Sequence, residues 1–529
     1  MKKFLTLFVA TGLLVAVLAG AALAAEPMAK DQVLQFNLGA EPQTLDPAKS
    51  TGIPEAIMIL NLFEGLTRLD ENNEPQPAIA KSWDVSNGGT VYTFHLRDAK
   101  WSNGDAVTAH DFEYAWKRAL APETASEYAY QLYYIKNGQD YNEGKIKDAG
   151  AVGVKAVDDH TLRVVLEVPT PYFLSLTAFP TLLPVDQKVV KGNANWATKP
   201  ETHVGNGPFK ITKWVHNSQA ILEKNPSYWD ADVVKLQKIE VALIDSQMTA
   251  ITMFDTGQLD YNDNIAVSEI DRLKKEGKFQ VAPYLGTYYY LFNVTKKPFD
   301  DVRVRKALAL AIDRKAIVEL VTKAGQKPAL AFVPPGVKGF REAGKTYFKD
   351  NDVFTARKLL ADAGYPGGKG FPTVELLYNT SESHKVIAEA IQQMWKKNLG
   401  INIRLTNQEW KVYLDTRTQL NYQVARAGWI GDYVDPMTFL DMWLTGGGNN
   451  DTGWSNKRYD ALIEQSKTEE DMKKRDALLH EAEDILMNDM PIMPIYFYTL
   501  PFEQKDFVKD LNRSTLGFID FKHTWIAKH

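Results

Sequence analysis

Ser383-His-Lys-Val-Ile-Ala-Glu-Ala-Ile-Gln-Gln-Met-Trp-Lys-Lys-Asn-Leu-Gly-Ile-Asn-Ile-Arg-Leu405 contains both halves of the fold decision. Ile387, Ala390, Ile391, Met394 and Trp395 recur at the spacing that lines one face of an α-helix, and Gly400 supplies its stop. Residues 401–405 follow at once as a β-branched run. A helix that delivers the chain straight into a strand is the building unit of an α/β protein.

Outward from that stretch the alternation continues. Short β-branched or aromatic runs at 33–38, 92–96, 161–168, 238–243, 288–294, 373–378, 422–427 and 492–498 are predicted strands. Helix starts are predicted where Thr108 stands three residues before Asp111, where Ser268 precedes Asp271, and at Asp435-Pro436, with proline at the first helical position. Met437, Leu440 and Leu444 then follow at helical spacing. The turn-rich stretches 326–344 and 364–372 read as surface loops, and no internal repeat or low-complexity segment interrupts the pattern.

With 529 residues the chain is long enough for two to four domains and a large apolar core. Met1-Lys-Lys, an apolar run from Phe4 to Leu18 and small residues up to Ala24 and Ala25 form a secretory signal pattern, so an exported mature protein is expected. No later run is apolar enough to span a membrane. The absence of cysteine excludes disulfides, thiolate metal sites, cysteine nucleophiles and a lipid-modified N-terminal cysteine. A soluble periplasmic protein is the simplest reading. The formal charge of -5 becomes more negative once Lys2 and Lys3 are removed, which argues against nucleic acid as a partner.

One run carries charge where it is least expected: Val424-Ala-Arg-Ala-Gly-Trp-Ile-Gly-Asp-Tyr433. As an extended strand it would place Arg426 and Asp432 on one face, roughly 20 Å apart and out of each other's reach. Two buried opposite charges that cannot meet each require another partner. A ligand with a positive and a negative end would serve both.

Several phrases point to a family. Glu41-Pro42 with Leu45-Asp46-Pro47, Leu62-Phe-Glu-Gly-Leu66, Tyr92-Thr-Phe-His-Leu-Arg97 leading to Trp101-Ser-Asn-Gly104, Asn206-Gly-Pro-Phe209 and Val302-Arg-Val-Arg-Lys-Ala307 stand in order along the chain. Together they resemble the peptide-binding family of periplasmic solute receptors. Tyr378-Asn-Thr-Ser381, His384, Gln408-Glu-Trp410, Leu414-Asp-Thr-Arg417 and Ala425-Arg-Ala-Gly-Trp429 are most similar to its oligopeptide-binding branch.

The resemblance implies an α/β, bilobal type II periplasmic-binding-protein fold with an extra inserted domain and hinge closure. Its borders carry over as a signal peptide at 1–25, domain I at 26–63, 187–285 and 501–529, domain II at 64–186 and domain III at 286–500. It also implies a monomeric receptor that binds short peptides and hands them to an inner-membrane ABC permease with its ATPase subunits, without cofactor or metal. Asp432 matches the anchor for the peptide ammonium. Arg426, His384 and Arg417 match positions that meet the carboxylate according to ligand length. Trp429, Gly428, Trp410, Tyr128, Tyr289, Ile53 and Asn262 match cleft-lining positions. Related receptors often carry a cystine at the positions that here hold Gly286 and Ile430. A murein peptide, a dipeptide or another small solute is the alternative ligand.

An enzyme is not supported. His480-Glu481 continues to Asp484 rather than a second histidine, so the two-histidine zinc pattern fails. Gly446-Gly-Gly448 lacks the phosphate-loop lysine, and no Gly-x-Ser-x-Gly elbow occurs. A secreted peptidase is the reading of another class, without a motif to carry it.

Overall fold

The computed structural model describes residues 26–337, 340 and 345–529. The expected signal peptide and part of the 326–344 stretch lie outside the described residues. Among the described residues no helix is long and apolar enough to cross a membrane.

Two antiparallel strands of 13 residues, Gln280–Phe292 and Ile492–Gln504, form the spine. At about 3.4 Å per residue each runs roughly 40 Å, long enough to serve two lobes. Their 286–292 and 492–497 portions belong to a sheet with Val424–Ile430, Val374–Asn379 and Ile403–Gln408. At the far end Glu503 and Gln504 pair with Tyr261–Asn262, which leads into Val33–Asn37, Lys238–Ala242, Gln219–Lys224 and Phe209–Val215. A register shift between Pro283 and Thr287 interrupts the ladder where one lobe gives way to the other.

The predicted strands at 288–294 and 492–498 are thus the second-lobe halves of longer elements. Pro283 cannot donate to a ladder and Gly286 weakens one, so the crossing half of the first does not read as strand. A separate four-stranded antiparallel sheet, Ala80–Ser86, Val91–Leu96, Thr161–Val165 and Val154–Asp158, packs against the helix Ala109–Leu120. That helix begins with the Thr108 and Asp111 capping box read from sequence.

Other helix starts differ. The long helix runs Glu382–Leu399 between an N-cap at Ser381 and a left-handed Gly400. Ser268 is not a cap: it lies within the 3-10 turn Val267–Glu269, and Ile270–Lys275 starts behind Glu269. Asp435 accepts from the Met437 N–H at 2.9 Å, but the helix it opens, Met437–Leu440, is a single turn that passes into 3-10 geometry at Asp441–Trp443. The charged run also ends early as a strand. Val424–Ile430 stops before Gly431, so Asp432 lies beyond the sheet rather than on the Arg426 face of it.

Candidate functional site

The Val424–Ile430 strand brings Arg426 against Tyr288 of the spine, whose ring lies 4.7 Å from the guanidinium carbon. Arg426 Nη2 donates to the Tyr498 hydroxyl at 2.6 Å and Nη1 to Asn379 Oδ1 at 3.3 Å, while Nε has no acceptor among the described residues. The guanidinium is buried among neutral groups. Gly428 makes this possible: a Cβ there would lie 2.4 Å from the Tyr498 oxygen and 3.2 Å from Arg426 Nη2.

Asp432 is the opposite case. Its carboxylate accepts from Gln131 Nε2 at 2.9 Å and from the Tyr128 hydroxyl at 3.2 Å, and its N–H donates to Thr438 Oγ1 at 2.9 Å. No cation pairs with it among the described residues. Burial, with Asp441 nearby, pushes its pKa well above the ordinary carboxylate value. Asp441 itself is raised to about 7, chiefly by burial.

Both groups line one cavity of about 350 Å³ between the lobes, together with Trp429, Gly428, Trp410 and Tyr128. A second cavity of about 320 Å³ shares His384, Trp410 and Tyr498 with the first and continues past them toward Gln326. His384 is half-buried at the junction. Its Nδ1 lies 3.3 Å from the Tyr288 hydroxyl, and burial together with the Arg426 charge lowers its pKa well below that of a free imidazole. A neutral ring that accepts at Nδ1 keeps its proton on Nε2 as a donor.

The remaining matched residues divide. Ile53, first in the helix Ile53–Leu62, lines the larger cavity. Arg417 lines it too, but its Nε lies 2.5 Å from Asp451 Oδ2, so this third expected cation is already held by a carboxylate. Tyr289 packs edge-on against Phe332 and Trp443, because alternation along the strand turns it away from the side on which Tyr288 meets Arg426. Asn262 sits fully buried behind the wall that Asp263 and Asn264 form, with its Oδ1 accepting from Asn37 and from the Asn264 N–H.

Gln131, Tyr288, Asn379 and Tyr498 escaped the sequence reading, although each directly contacts one of the two buried charges or the ring beside it. The alternating Tyr496 and Tyr498 of the spine strand was the one available signal. Gly286 and Ile430 are direct cross-strand partners, and a Cβ on Gly286 would lie 2.3 Å from Ile430 Cδ1, so the isoleucine fills the space between the two backbones. No group of residues able to hold a metal ion occurs among the described residues.

Residues 74–451 match the family described as bacterial extracellular solute-binding proteins, family 5, middle. The chain is 44% identical over 503 residues to the oligopeptide-binding protein OppA of Bacillus subtilis, covering 93% of this chain and 92% of that one. It superposes on the murein tripeptide binding protein MppA of Escherichia coli with a TM-score of 0.91 at 38% identity, over 95% and 100% of the two chains. Against a structure of MppA described as its unliganded open form, the TM-score is 0.64 at the same 38% identity, over 96% and 99%. With identity equal, the difference lies in how the lobes sit. The present chain is thus less similar to the arrangement described as open, and contacts such as Trp410 to Glu55 and Tyr128 to Asp432 join residues that line the cavity from distant parts of the chain.

Proposed function

This chain belongs to the bacterial extracellular solute-binding proteins of family 5, and from that premise we propose that it is a periplasmic receptor that captures short oligopeptides for an ABC importer. One observation carries the reading: a buried acid, Asp432, and a buried cation, Arg426, line the same cavity, and each has only neutral hydrogen-bond partners among the described residues. A free peptide has an ammonium and a carboxylate joined by a backbone of common donors and acceptors. Asp432 takes the ammonium. Arg426 takes the carboxylate of a ligand of matching length, with the neutral His384 as a donor to the same end. Arg417 would serve a carboxylate only by giving up Asp451.

Closure between lobes excludes water and strengthens both charge contacts. The borders near 286 and 500 fall inside the two spine strands, which suits a hinge built from continuous backbone. The ligand leaves chemically unchanged, and one chain supplies the whole cleft. A murein peptide is the second reading, favoured by the likeness to MppA.

Calorimetry with a tripeptide and its N-acetylated form tests the main reading, since the free amine should bind far more tightly. Equal affinity would reject recognition of the ammonium. Mass spectrometry of what mild unfolding releases from the purified protein separates oligopeptides from murein peptides and other solutes.

A further inference from the structure

Arg426 stands where the first cavity opens into the second. Its two acceptors, the Tyr498 hydroxyl and Asn379 Oδ1, belong to residues that line both cavities, as His384 and Trp410 also do. A ligand carboxylate held by Arg426 therefore leaves the side chain of the last ligand residue beside a further space of about 320 Å³. That space has a charge of one sign.

Glu41, Asp245, Asp263 and Glu409 line it, and among the described residues no lysine or arginine does. Glu41 accepts from the His216 ring and the Asn217 N–H, Glu409 caps the helix Trp410–Thr418, and Asp245 is exposed. Asp263 alone of the four also lines the first cavity, with Asp432 and Arg426. It is half-buried, its carboxylate accepts from the Tyr261 hydroxyl at 3.3 Å, and no cation pairs with it among the described residues. Arg513 is stacked on the Tyr261 and Phe502 rings, donates to Gln504 and lines neither cavity. Burial raises Asp263 to about 6 against the lowering effects of Tyr261 and Arg513.

We propose that Asp263 is a specificity determinant: it pairs with a basic side chain on the last residue of a peptide whose carboxylate meets Arg426, and the second cavity houses that side chain. The inference rests on the peptide-receptor reading and adds to it the class of the carboxyl-terminal residue. A Lys or Arg there supplies the half-buried carboxylate with the cation it lacks, through a charge-assisted hydrogen bond. A Glu at the same place adds a like charge to a wall that already carries four, in a space with little water to screen it. One ligand residue thus meets both signs, its carboxylate at Arg426 and its side chain at Asp263.

The test is calorimetry with alanine tripeptides and tetrapeptides that end in Ala, Lys, Nε-acetyl-lysine or Glu. For the better-bound length, wild type should hold the Lys peptide at least about tenfold tighter than the Glu peptide, and acetylation should remove most of that advantage. In Asp263→Asn, which keeps an acceptor for Tyr261, the Lys-over-Glu gap should fall to about threefold or less. A smaller gap in wild type overturns the inference while leaving the receptor reading intact, as does an acetylated peptide that binds as tightly as the Lys one or a gap that persists in folded Asp263→Asn. Failure of every peptide to bind wild type overturns the receptor reading and this inference with it. If Asp263→Asn does not fold, the wild-type gap and the acetylated peptide decide.

Discussion

The Trp410 indole N–H donates to Glu55 Oε1 across the cleft at 3.3 Å, joining the second lobe to the first. Glu55 is fully buried, and its carboxyl is pushed above the usual carboxylate range by that burial despite donors at Gln43 and Trp410. The ring packs so closely on Gly52 that a Cβ there would lie 2.9 Å from Trp410 Cζ2. Beside it Gln43 Nε2 donates to Asp415 Oδ1 at 3.3 Å, a second bond between lobes.

Trp410→Phe keeps a ring on Gly52 and removes the donor, so the closed form should lose about 1 kcal/mol. Peptide dissociation should accelerate roughly fivefold, since closure is what retains the ligand. Stopped-flow release provides the measurement, and an unchanged off-rate would mean that this contact does not hold the lobes together.

Asp432→Ala should cost roughly 2 to 5 kcal/mol of tripeptide affinity, because a buried ligand ammonium would be left unpaired. Thermal stability of the ligand-free protein should not fall in parallel, as the substitution also removes a buried and unpaired carboxylate. Calorimetry and a melting curve together read both halves. Unaltered affinity would remove Asp432 from the binding site.

Gly428→Ala places a methyl group within 2.4 Å of the Tyr498 oxygen, which must move off Arg426. Arg426 then loses one of the two bonds that orient it. Affinity for a free-acid tripeptide should fall by about tenfold, and that for its C-terminal amide by much less. Equal losses for the two ligands would show that Arg426 does not read the carboxylate.

Ligand-free protein should lose stability as pH rises from 6.5 to about 8. Asp441, Glu127 and Glu503 are each raised to about 7, and Asp432 is raised too, chiefly by burial in every case. Between the ordinary carboxylate range and these values the unfolded chain binds fewer protons than the folded one, so stability falls with pH until both states are ionised. His203, lowered by burial to about 4, and His384 act the other way, but only below the ordinary imidazole value of 6.5. A melting temperature that rises across this window contradicts the assignment, and Asp441→Asn should flatten the slope.

Local patterns carried much of the fold into view. The long helix at 383–399, the Thr108 and Asp111 box and the strand at 373–378 depend on neighbours in sequence, and each sits within a residue of its predicted place, whereas the strand expected at 401–405 runs from Ile403 to Gln408. Ser268 looked like an equally good start and is not one, since it lies within a 3-10 turn, while Asp435-Pro436 does open a helix, but one of a single turn. The crossing half of the spine was hidden by Pro283 and Gly286, whose local preferences oppose a strand that long-range pairing nonetheless forms.

The sequence by itself determined that Arg426 and Asp432 need separate partners, since the five residues between them keep them apart in any extended chain. It also determined the α/β class, through periodicities that each segment carries alone. Only the tertiary structure decided who surrounds those charges. Tyr128 and Gln131 reach Asp432 from about 300 residues away, and Tyr498 reaches Arg426 from 72. Asp451 claims Arg417 across 34 residues. Charge and hydrogen-bonding capacity are written in the residue, but pairing depends on distance in space, which the packing of distant segments sets.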